Sequence, residues 1–216
     1  MANEKEQLEA LTDIRNIMER STRFLSLSGL SGVFAGVFAL IGAGAAYLKI
    51  EENFWALDEG AHYHGRGREL SEFLFFFADA GLVLMASLTV GYFFTHRRAK
   101  KQGLKVWDGS SRRLAFSLFI PLLAGGIFCL ELLNKGMISM IAPATLLFYG
   151  MALLNASKYT LTDIKYLGIS EMILGLVAAA RIGPGLLFWA IGFGFLHIIY
   201  GTAMWYKYER GGIKRG

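Results

Sequence analysis

The chain has 216 residues, 54% hydrophobic and only 18% charged, with 26 glycines and 3 prolines. Soluble domains carry about 25% charged residues, so this balance excludes an ordinary water-soluble enzyme or binding module. The net charge of +5 comes from basic residues set beside apolar runs, which makes nucleic acid a poor partner, and the single cysteine, Cys129, excludes an intramolecular disulfide.

Six apolar stretches run at about 24–48, 73–95, 114–134, 137–156, 164–182 and 183–206. Each approaches or exceeds the ~20 residues that a helix needs to cross a ~30 Å hydrocarbon core. The expected fold class is all-α: a polytopic membrane protein, a six-transmembrane-helix bundle with an amphipathic N-terminal helix. Its parts are 1–23, a cytoplasmic amphipathic helix; 24–206, the transmembrane domain; and 207–216, a cytoplasmic basic tail.

In the first segment Leu11, Ile14, Met18 and Leu25 recur at helical spacing. Acids slightly outnumber bases there, so the helix suits the end of the bundle, a protein partner or a second copy of the chain better than an anionic lipid surface. The apolar run that follows is longer than the core of a signal peptide, and the first span is expected to be an uncleaved anchor. Within it Ser28, Gly32 and Gly36 form a small-xxx-small face suited to a close helix crossing inside the bundle. The connection to span 2 is long and charged and carries Phe54, Trp55 and Tyr63, and a helix lying on the outer surface is expected there. It also holds His62 and His64, a weak candidate pair for a metal.

Span 2 carries Asp79, about 10 Å below the outer boundary at 1.5 Å per residue. The next connection, residues 97–113, is strongly basic, and Arg97, Arg98, Lys100 and Lys101 are expected to meet anionic lipid headgroups. Span 3 ends with Glu131 at the same outer level, and a three-residue turn, Asn134 to Gly136, makes spans 3 and 4 antiparallel neighbours. The glycosylation pattern at Asn155 falls on the cytoplasmic side and reads as chance. Span 5 carries Glu171 and ends at Arg181, which joins Asp79 and Glu131 as a candidate outer ionic cluster. A Gly-Pro-Gly turn leads into span 6, which carries His197 and Tyr200.

Ionisable groups inside a bilayer are expensive and mark candidate functional sites. Glu171 precedes the turn near Gly183 by about as many residues as His197 follows it, which puts the two at similar depth on adjacent antiparallel helices. Tyr200 shares the face of His197. Such a pair either fixes helix register as a polar clamp or relays a proton, since imidazole titrates near neutral pH. His96 and His197 lie at different depths, which argues against a haem held between them. No cofactor is expected. No P-loop, G-x-S-x-G, H-E-x-x-H or cysteine cluster is present, and no catalytic residue is assigned.

Orientation follows from the basic residues. Seventeen of the 22 Lys and Arg residues fall in the N-terminal segment, the second and fourth connections and the C-terminal tail. Basic residues resist translocation, so both termini are expected in the cytoplasm and the protein in the inner membrane.

The opening LTDIRNIMERSTRFLSLSGLSG and the GFGFLHIIYG of span 6 resemble a group of uncharacterised bacterial six-span inner-membrane proteins. The resemblance covers most of the chain and implies topology and localisation, with no activity or ligand. Two functions fit: a small transporter or permeation unit for a solute or ion, proton-coupled through its buried charges, or a non-transporting membrane sensor, scaffold or regulatory partner.

Overall fold

A computed structural model describes residues 23–58 without residue 25, residues 66–104, 106–181 and 183–210, and residue 7. The expected N-terminal helix with Leu11, Ile14 and Met18, the pair His62 and His64, and residues 211–216 of the tail lie outside the described residues. Every regular element among the described residues is helical: α1 (Gly29–Asp58), α2 (Arg66–Gln102), α3 (Gly109–Asn134), α4 (Ile141–Ala156), α5 (Ile164–Ala180) and α6 (Gly185–Arg210). Short tight turns of helix precede and follow α4.

Among the described residues, five helices are long and apolar enough to cross a membrane: α1, α2, α3, α4 with its flanking turns, and α6. At 17 residues, α5 is the short one. Its rise of about 25 Å falls a little below a hydrocarbon core. Large side chains face outward: Leu82 is 71% exposed and Phe116 64%. Apolar surface on this scale suits hydrocarbon and not water.

Glycine decides where the helices stop. α1 runs on to Asp58 because no Gly or Pro interrupts residues 45–58, so the start of the connection to α2 continues the span; residues 59–65, where the rest of the expected surface helix falls, lie outside the described residues. α2 likewise extends through the basic run to Gln102. It closes at Gly103 (φ 68), where Gly103 N–H donates to Lys100 O at 3.3 Å and Leu104 N–H to Ala99 O at 2.9 Å. This pairing satisfies the last carbonyls of a helix and needs a residue with positive φ. Gly136 (φ 72) closes α3 in the same way. α3 begins on a capping box, in which Asp108 accepts from Ser111 N–H and Ser111 Oγ accepts from Asp108 N–H.

Residues 24 and 26–28, expected inside span 1, are not helical. Phe24 N–H donates to Tyr159 O at 2.7 Å, and Thr160 Oγ1 donates to Phe24 O at 2.8 Å. The strand-like lead-in is strapped across the α4–α5 connection. Glu209, near the end of α6, then serves as the cap of α1: it accepts from Gly29 N–H at 2.6 Å and from Ser28 Oγ at 3.1 Å. A carboxylate at a helix N-terminus satisfies orphan donors and complements the helix dipole. Arg98 completes the knot, donating to Leu27 O and lying 3.3 Å from Glu209. Arg98, expected at lipid headgroups, therefore points into the bundle. Arg97, Lys100 and Lys101 remain exposed.

The helices form an incomplete ring. α1 packs against α2 on one side and α6 on the other; α4 packs against α5 and α3, and α6 leans on α4 and α5. The α1–α6 crossing is the small-residue face of the first span put to use inside the bundle. A Cβ on Gly36 would stand 2.6 Å from Gly194 O, and one on Gly32 would stand 3.2 Å from Gly201 Cα. α2 and α3, consecutive in sequence, sit at opposite edges of the ring and share no substantial contact.

Two measurements check these contacts. Gly36→Leu should destabilise the detergent-solubilised protein by about 1–3 kcal/mol through overpacking. Gly44→Leu, where a Cβ meets nothing within 4 Å, should leave the thermal midpoint unchanged. At the basic end, Tyr208 O–H donates to Asp163 at 2.6 Å and Lys207 at 2.9 Å. Partial burial alone would raise the Asp163 pKa, but these two donors hold it below the ordinary value of 3.8. A depressed carboxylate stabilises the fold above its unfolded pKa and loses that contribution as pH falls through the folded value. Asp163→Asn should therefore be less stable than wild type at neutral pH, and the difference should begin to shrink near about pH 4 and vanish only once pH has fallen below the depressed folded value.

Candidate functional site

The two groups placed at one depth by the sequence meet in the structure. His197 Nδ1 lies 3.4 Å from Glu171 Oε1, with the imidazole on α6 and the carboxyl on α5. Glu171 is 0% exposed and His197 6%. Tyr149 of α4 joins them, its hydroxyl 2.8 Å from His197 Nε2.

Local winding and a missing side chain allow the meeting. Residues Ala190–Leu196 of α6 wind as a π-helix, a rare widening that is common at functional sites. In this turn Gly192 O accepts a hydrogen bond from His197 Nδ1 at 3.0 Å. Gly192 also makes room for the carboxyl: a Cβ there would stand 2.5 Å from Glu171 Oε2. Both Glu171 oxygens lack a hydrogen-bond partner among the described residues. Unsatisfied buried carboxyl oxygens are costly and rare, which sets this group apart from a well-satisfied structural polar residue.

The bonds fix the proton arrangement. A carbonyl oxygen only accepts, so Nδ1 carries a hydrogen. In the neutral ring Nε2 then accepts from the Tyr149 hydroxyl. Adding a proton to Nε2 reverses that bond: the Tyr149 oxygen accepts, and its hydrogen is released toward other acceptors. The cation so formed has the Glu171 carboxyl beside it.

What lies in front of the pair is a cavity of about 610 Å³. Tyr149, Phe193 and His197 face it, and Glu171 sits behind them, outside the lining. The rings are in contact, with Tyr149 to Phe193 centroids 4.9 Å apart and Phe193 to His197 5.9 Å. The walls are single helix faces: Ala80, Leu84, Leu88 and Gly91 from α2, and Leu118, Leu122, Gly126 and Cys129 from α3. The cavity is the gap that the two edge helices leave open.

Of the remaining sequence candidates, Tyr200 also lines the cavity, but its hydroxyl pairs with Ser170 at 3.4 Å instead of joining the Glu171 group. The expected ionic cluster of Asp79, Glu131 and Arg181 does not form; no ion pair joins them among the described residues. Glu131 and Arg181 are exposed, and Asp79 turns toward α1, where a Cβ on Gly42 would stand 3.3 Å from its Oδ2. Equal depth does not bring side chains together when their helices point them different ways. Asn155 is tied by its amide to Ser117 O at 3.1 Å, a link between α4 and α3.

Sequence reasoning passed over Tyr149, Gly192 and Glu209. Tyr149 sits in an apolar run with no charge to mark it. Gly192 is one of two glycines flanking Phe193, and a Gly-rich turn just before a buried His was the available signal.

No protein-family model matches the chain, and neither a curated protein nor a solved structure does.

A double-mutant cycle tests the pair. Polar pairs in membranes average about 0.6 kcal/mol, and stranding a buried partner costs more. Glu171→Gln and His197→Gln should each lower the thermal midpoint, and the double variant should cost less than their sum. Gly192→Ala should reproduce the Glu171→Gln loss by displacing the carboxyl. Strict additivity would show that the 3.4 Å contact carries no energy.

Proposed function

We propose that the chain is a six-span protein of the inner membrane, with α5 as the fifth span and both termini in the cytoplasm, that moves a small solute together with a proton. The observation that carries this reading is the position of His197, bonded to Tyr149 at the cavity wall and lying 3.4 Å from the sealed carboxyl of Glu171. Proton arrival at the imidazole and reorientation of a cavity hydroxyl are one event in this geometry. A solute that accepts a hydrogen bond from Tyr149 is therefore held differently in the two protonation states, which is the differential affinity that coupled movement requires. The six-span topology rests on the skewed basic residues and on the six apolar stretches. The resemblance to six-span inner-membrane proteins supports the same placement.

A second reading has its own observation. Glu171 is walled off from the cavity by His197 and by apolar neighbours, as befits a clamp that fixes helix register. A protein with a clamp and an occupied cavity would serve as a membrane sensor or regulatory partner.

Proton flux separates the two. The full chain is reconstituted in vesicles loaded with pyranine, a total cell extract is added as the source of solute, and a pH step is imposed. Vesicles with protein should dissipate the step faster than empty ones, and His197→Gln should reduce the protein-dependent rate by about 100-fold, the low end for loss of a positioned proton-transfer group. Flux equal to empty vesicles removes the proton-coupled reading. Compartment reporters fused at residues 1 and 216 test the topology, and an external signal at either end overturns it.

A further inference from the structure

The cavity has a shape and a chemistry that narrow its occupant. It extends from Trp189 to Met204 along α6 and from Leu114 to Cys129 along α3. At 1.5 Å per residue each wall is about 20 Å long. The space is therefore an elongated groove and not a compact pocket for a small polar solute. Its long side lies between α2 and α3, which share no substantial contact. Both carry exposed apolar side chains there, Leu84 and Leu88 on α2 and Leu122 on α3. In a bilayer this gap faces acyl chains, so a molecule already dissolved in the membrane enters sideways without crossing water.

The polar side chains of the lining are hydroxyls and one imidazole, and Ser28, Ser31, Thr145, Thr160 and Tyr200 already hydrogen-bond within the protein. Among the described residues, no Asp, Glu, Lys or Arg lines the groove. An ionised headgroup in it would lose its water and find no fixed countercharge, a cost that several hydrogen bonds do not offset. About midway along, the Tyr149 hydroxyl and the His197 ring stand among Trp189, Phe193 and Phe148. Such a spot suits an uncharged group that hydrogen-bonds at one point and packs against rings elsewhere.

We infer that the groove between α2 and α3 binds an uncharged, single-chain amphiphile from the bilayer, with its hydroxyl or carbonyl at Tyr149 and His197 and its hydrocarbon chain running from there along half of the groove and out through the α2–α3 gap into the acyl region. This names the solute class of the function proposed above and rests on that reading for its role. The charge-free lining argues for the neutral headgroup and the length argues for the chain. Phospholipid, with an ionic head and two chains, fits neither.

Two positions allow the groove to be blocked without disturbing the fold. Gly126 and Gly91 both line it, and a Cβ on either meets nothing within 4 Å. Trp189 and Cys129 line it as well and serve as reporters inside it.

The test uses the full chain in detergent micelles at uniform pH. Dibrominated stearyl alcohol, dibrominated stearic acid above its pKa and brominated phosphatidylcholine are titrated while tryptophan fluorescence is read. Dibrominated stearyl alcohol should quench saturably, and the saturable part should be absent in Trp189→Phe. Unbrominated stearyl alcohol should slow modification of Cys129 by N-ethylmaleimide in wild type. Gly126→Leu should weaken binding by at least about tenfold with the thermal midpoint unchanged, and Gly91→Leu should do the same. Tyr149→Phe should weaken it by about tenfold, the worth of one hydrogen bond.

Tighter binding of the acid than of the alcohol overturns the neutral headgroup. Equal quenching by phosphatidylcholine makes the groove a seat for bulk lipid. Quenching indifferent to both leucine variants places the alcohol elsewhere, and a fall in molecular mass in those variants makes the groove a contact between copies. Each result refutes the inference. No pH gradient is present, so lost binding with retained proton flux overturns the ligand class alone. Retained binding with no flux overturns the proton coupling alone.

Discussion

The bundle depends on the close approach of the first and last helices. In lipid no hydrophobic effect pulls helices together, so van der Waals contact and hydrogen bonds must do so, and both require short distances. Gly32 and Gly36 on α1 and Gly194 and Gly201 on α6 provide them, and a single added methyl at Gly36 would collide with backbone. The same crossing brings Glu209 over the start of α1, where it accepts from Gly29 N–H. Arg98 reaches in from α2 to the same carboxylate. Three helix ends are thus held by one half-buried charge with several donors. With one face of α6 committed to α1, its remaining faces are determined: His197 and Phe193 look into the groove, and Gly192 meets the carboxyl of Glu171.

Two kinds of acid result. Glu209 is saturated by donors from α1 and α2 and acts as a fastening. Glu171 packs against Gly192 and has the His197 ring 3.4 Å away. A carboxyl so placed sits beside a ring that can gain a charge, whereas Glu209 is already paired with the fixed charge of Arg98. This contrast separates the two acids as candidates for function more clearly than depth in the membrane does.

Much of this was legible in the sequence and some was not, for physical reasons. Length and apolarity of the runs gave the helices, and the turn holding Gly136 marked the end of α3; Gly103 was not read as the end of α2, because the basic run before it looked like a connection and proved to be helical. Glu171 and His197 were found together because a tight turn makes the distance along one helix equal to the distance along the next. The cluster of Asp79, Glu131 and Arg181 failed because depth is only one of two coordinates; rotation about each helix axis is not readable from a uniformly apolar run. Tyr149 and the groove depend on which helices are neighbours, and the α1–α6 contact joins residues as far apart as Ser28 and Glu209, 181 positions in sequence. Nothing local announces such a pairing.

That separation also governs how the protein is made. Chains grow from the N-terminus at about 5–20 residues per second, so α1 resides in the membrane for about 10–40 s before α6 exists to meet it. Throughout that interval its glycine face has no partner, and the amide hydrogens that Glu209 later takes must be served by water or headgroups. The ring is therefore fastened by the last of its helices to be made. Until Glu209 emerges, the first helix is an unclaimed surface, open to whatever membrane component, chaperone or sister chain reaches it first.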